Sequence, residues 1–133
     1  CTAALGFLVF GLGFCISGTR KALNQFHGVP DDPTNILYKL NRAHGNTCEY
    51  APFLAVFFVF LGSQSPTTMV EWTMIAATTC RYLFVVGVLC FPTMAKPNLA
   101  RVIGALGHLY LRHYVVSGSI TSDISGALIV YRC

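Results

Sequence analysis

Apolar residues in this chain fall into four runs separated by short polar stretches. The first run, residues 1–18 (CTAALGFLVFGLGFCISG), carries no charge. At 1.5 Å per residue it just crosses a hydrocarbon core of roughly 30 Å. No basic stretch precedes it and position 1 is not Met, so it reads as a span of a truncated or processed chain rather than a signal peptide. The second run, 35–62, opens polar (NILYKLNRAHGNTCEY) and closes apolar (APFLAVFFVFLG). The third, 68–91, has Glu71 at its start and Arg81 near its middle, and the fourth covers 99–118. A tail, 119–133, contains only the short apolar stretch ALIVY. In lipid every backbone polar group must be satisfied internally, and runs of about 20 residues suit helices rather than barrel strands. The pattern therefore predicts one all-α domain over 1–133, an integral membrane four-helix transmembrane bundle.

The connections orient the bundle. Residues 19–34 form a polar loop with Pro30 and Pro33, in which Asp31, Asp32 and Thr34 are candidate helix caps. Residues 63–67 make a tight turn, and 92–98 form the third connection. Arg20, Lys21, Lys39 and Arg42 lie in or beside the first connection, Lys96 and Arg101 in or beside the third, and no basic residue lies in the second. The positive-inside rule then places the first and third connections in the cytoplasm or its topological equivalent, with both termini opposite.

Composition narrows the class. Charged residues make up 11% and hydrophobic residues 54% of the 133 residues, with a mean hydropathy of +0.60. Soluble domains carry about 25% charged residues, so a soluble enzyme and a disordered tail are excluded. The net charge of +4 is too thinly spread for a nucleic-acid partner. No C-x-x-C pair occurs among the six cysteines, and no metal site is expected. Cys15, Cys48, Cys80 and Cys90 read as small hydrophobes, and the six cysteines make no disulfide framework; Cys1 and Cys133 fall on one side, where a pairing is the lesser alternative to free thiols.

The chemistry concentrates in the second run. At about 100° per residue, Lys39, Arg42, Asn46, Glu49 and Tyr50 fall within a single helical arc of roughly 100°. Ionisable groups are costly in lipid, so such an arc faces the bundle interior or a wet cavity. One reading is an Arg42–Glu49 ion pair bridged by Asn46 that only holds helices together; the other is a binding site. His44 falls on the opposite face, at a subunit contact or the membrane interface. Glu71 suits a helix N-terminus, Gly6, Gly11 and Gly13 suit close helix packing, and Pro52 predicts a kink.

The segment R-A-H-G-N-T-C-E-Y-A-P, residues 42–52, resembles the second-helix signature R-x-x-x-N-x-x-E of the MAPEG family, membrane-associated proteins in eicosanoid and glutathione metabolism. The four-helix layout, the polar first connection, an Arg in the third helix and G-A-L-G at 104–107 are similar to that family as well. The resemblance implies a bundle of MAPEG type that binds glutathione as a homotrimer with the site between subunits. It also implies a transferase or peroxidase acting on a lipophilic substrate, an electrophile or lipid hydroperoxide arriving from the membrane lipids. On this reading Lys39, Arg42, Asn46, Glu49 and Tyr50 bind glutathione. Arg42 holds a carboxylate, Glu49 accepts from the ammonium, and Arg81 with Lys96 or Arg101 supplies the cationic charge that makes a thiolate.

Two positions depart from the family pattern. Members carry a His or polar aromatic three residues after the third-helix Arg and a Tyr seven after it, whereas this chain has Phe84 and Val88. The fourth run adds His108, Arg112 and His113. These features support an alternative, a non-catalytic subunit of a larger respiratory or photosynthetic membrane complex. In it, His108 or His113 would contact a cofactor or pigment. The competing reading of those residues is pairing with Glu71 or with backbone near the interface, beside Trp72, Tyr110 and Tyr114.

Overall fold

The computed structural model describes residues 1–96 and 98–107. Three long helices are present, α1 (Thr2–Ala22), α2 (Ile36–Ser63) and α3 (Thr68–Leu89). A fourth, α4, is helical over 99–107. The expected continuation of α4 to residue 118, the tail, His108, Arg112, His113 and Cys133 lie outside the described residues. All three long helices are long and apolar enough to cross a membrane. Their outward faces carry exposed Phe7, Phe10, Phe14, Phe53 and Trp72, as lipid-facing surfaces do.

Helix ends differ from expectation for local reasons. α1 runs four residues past Gly18, placing Arg20 and Lys21 in its last turn. The segment TRKA contains no breaker, and cations suit a helix C-terminus. Beyond it, Asn24 takes a positive φ of 52°, and Arg20 Nη1 donates to the carbonyls of Gln25, Phe26 and Gly28 (3.4, 3.4 and 3.0 Å). The cap of α2 is Asn35, whose Oδ1 accepts from Leu37 N at 2.8 Å, rather than Asp31, Asp32 or Thr34. Asp32 instead closes a turn on Thr34, accepting from its backbone N–H at 2.9 Å and from its hydroxyl. Residue 89 ends α3 two positions early because Pro92 disfavours helical backbone before it.

The interior is layered. Leu8, Leu12, Leu40, Ala43, Val85 and Val88 form one apolar cluster, and Leu5, Ala51, Leu54, Phe58 and Ala77 form a second. Between them along α2 and α3 lie Thr47 and Arg81, 0% and 1% exposed. α4 docks on α3 through glycine. A Cβ at Gly104 would lie 2.6 Å from Phe84 N and 2.8 Å from Cys80 O, and one at Gly87 would lie 2.6 Å from Arg101 N. The two backbones approach more closely than any side chain permits.

The first and third connections meet at one end of the bundle. Met94 N donates to Pro33 O at 3.0 Å. Lys39, 7% exposed, donates from Nζ to Phe91 O at 3.0 Å and to Pro92 O at 3.4 Å.

A candidate arginine-lined cavity between α2, α3 and α4

Asn98 starts α4. Its Oδ1 accepts from Arg101 N at 2.9 Å, and its Nδ2 donates to Gly87 O at 2.6 Å. That double contact seats the first turn of α4 against α3 and sets the direction of Arg101. The Arg101 guanidinium donates from Nη1 to Met94 O at 3.0 Å, which steadies it and leaves further donors of the fork for a ligand.

Arg101 lines a cavity of about 410 Å³ with Arg42 and Asn46 from α2. Phe84, Met94, Val102, Ala105 and Leu106 complete its wall. Small-molecule sites commonly span roughly 300–1,000 Å³ and combine a mostly apolar lining with a few placed polar groups. Here the charged groups in the lining are two guanidiniums, which favour a carboxylate or another anion.

The expected site residues divide. Arg42, Asn46 and Arg101 converge on the cavity. Arg81 lies behind it, buried, donating from Nη2 to Asn46 Oδ1 at 2.9 Å and to Thr47 Oγ1 at 3.5 Å. Its guanidinium lies 5.2 Å from the ring centroids of both Tyr50 and Phe84. Tyr50 therefore packs on Arg81, and the cation that Asn46 touches is Arg81 rather than Arg42. Glu49 is exposed on α2 and stands outside the cavity wall. Lys96 is exposed in the third connection, and the ammonium of Lys39 is engaged by the Phe91 and Pro92 carbonyls. His44 packs between α1 and α2, where a Cβ at Gly13 would lie 3.5 Å from its Nε2, and Cys48 Sγ is 3.5 Å from the same nitrogen.

Sequence reasoning passed over Thr47, Asn98 and the apolar wall apart from Phe84, which it met only as a departure from the family pattern. An Asn just before the fourth run was a readable cap signal. The wall was not readable, because its members join only once α4 docks at Gly104.

Hydrocarbon-length helices with exposed apolar faces, around an arginine-lined cavity, define a small multi-span integral membrane protein. The chain belongs to the MAPEG family, whose family model matches residues 1–112. Searches of curated proteins and of solved structures returned no match.

Proposed function

We propose that the chain binds glutathione in the cavity between α2, α3 and α4 and directs its thiol onto a lipophilic electrophile or lipid hydroperoxide. The observation that carries this reading is the pairing of Arg42, Asn46 and Arg101 with the apolar wall of Phe84, Met94, Val102 and Leu106 in one cavity. In this role Arg42 holds a carboxylate and Arg101 stabilises the thiolate. The thiolate sulfur bonds to the electrophilic carbon as the leaving group departs with its electron pair. With a hydroperoxide it takes the terminal oxygen, the O–O bond breaks and an alcohol leaves. A second glutathione then converts the resulting sulfenic acid to disulfide and water.

Glu49 and Arg42 are exposed on a membrane-spanning helix, and Glu49 lies about 20 Å along it. Charges at that depth need cover. A second copy of the chain in a homotrimer supplies it and brings Glu49 toward the ammonium of the bound peptide. The first and third connections face the cytoplasm on this reading, in an endoplasmic reticulum or organellar membrane.

Calorimetric titration of the detergent-solubilised protein with glutathione tests this. Arg42→Met and Glu49→Gln should each weaken binding about 10- to 100-fold, the range for a lost charged hydrogen bond. A stable homotrimer that takes up no glutathione would overturn the proposal. A second reading, the non-catalytic subunit, draws on Val88, which is 1% exposed within an apolar cluster and offers no hydrogen bond to a ligand. It requires co-purification with other subunits instead of copies of itself.

A further inference from the structure

Arg81 is 1% exposed and is absent from the cavity wall, yet it touches two residues that form that wall. Its Nη2 donates to Asn46 Oδ1 at 2.9 Å, and its guanidinium lies against the ring of Phe84. A guanidinium has donors and no acceptor. The Asn46 amide can therefore meet it only through oxygen, since the reversed amide would set donor against donor. Thr47 reinforces the arrangement. Its hydroxyl donates to Ala43 O at 2.7 Å, so its oxygen also faces Arg81 as an acceptor at 3.5 Å.

We propose that Arg81 is a positioning residue: it locks the Asn46 side chain so that Nδ2 serves the cavity as a donor. The ligand group opposite Asn46 is then an acceptor, a carboxylate or carbonyl oxygen. With Arg42 and Arg101, the polar part of the wall among the described residues becomes donor throughout, and a ligand's ammonium is turned away from it. The proposal rests on the reading of this cavity as the ligand site. It gives Arg81, a candidate catalytic residue by sequence, a role exerted through another side chain.

Selective ¹⁵N-asparagine labelling reads the lock directly, without any ligand. The Asn46 side-chain amide pair, assigned by its loss in Asn46→Ala, should move in Arg81→Met and stay near its wild-type position in Arg81→Lys, which still donates. An unmoved pair in Arg81→Met overturns the proposal. Glutathione titration supplies the second arm. Arg81→Met should lower affinity about tenfold in the wild-type background and add nothing in the Asn46→Ala background. Losses that multiply overturn it. Should Arg81→Met fail to fold, Asn46→Asp still decides. One carboxylate oxygen keeps the Arg81 contact while the other turns an acceptor into the cavity, so the variant should fold and lose glutathione about tenfold or more; wild-type affinity in it overturns the proposal. If the wild-type protein binds no glutathione, the proposed function falls while the amide resonances still decide the role of Arg81.

Discussion

Lys39 and Asp32 show how little of a polar residue's role its type decides. Lys39 shares the helical arc of Arg42 and Asn46, yet its ammonium reaches past the cavity to close the carbonyls at the end of α3. A partner found 52 residues downstream has no local signal. Asp32 looked like a helix cap and instead closes a loop turn. The Thr34 backbone N–H, and then its hydroxyl, hold the Asp32 carboxyl below its ordinary value of 3.8. Because the folded value is the lower one, this contribution is complete above 3.8 and fades as pH falls through the folded value. Amide exchange at Thr34 should accordingly stay slow from neutral pH down to about 4 and accelerate below it, after correction for the intrinsic pH dependence. Asp32→Asn should abolish that acid step, and an exchange profile identical to wild type would contradict the assignment.

Among the elements, the three long spans were legible because hydropathy alone sets their length, and the arc on α2 was legible because helical period places Arg42 and Asn46 together. The end of α1 was not, since TRKA is polar in the manner of a loop while being a good helix former. Docking of α4 was hidden too: a glycine's value as a contact depends on what opposes it. Gly104 meets backbone, which cannot rotate aside, whereas Gly62 has nothing within 4 Å. Gly104→Val should therefore destabilise by about 1–3 kcal/mol and open the cavity wall formed by Val102, Ala105 and Leu106. Gly62→Ala should be neutral or stabilising, by its helix propensity. Unfolding midpoints in detergent compare the two, and equal midpoints would remove Gly104 from the docking account.

For the molecule as a whole, the apolar exterior and the sparse interior polar layer are one design. Lipid solvates the outside, so interior polar groups look for partners within the protein: Arg81 donates from Nη2 to Asn46 and Thr47, and the buried Thr73 and Thr78 bond carbonyls one turn back on α3. At one end, the Lys39 contacts to Phe91 and Pro92, with Met94 on Pro33, fasten the α1–α2 hairpin to the α3–α4 half. The short second connection at 64–67 bears none of that fastening. Continuity of the chain there is thus dispensable once both halves are inserted. Residues 1–64 and 65–133, co-expressed as separate polypeptides, should find one another in the bilayer and co-purify, and Lys39→Met should weaken that complementation. Failure of the two fragments to associate would show that the intact turn, not the latch at the far end, keeps the halves in register.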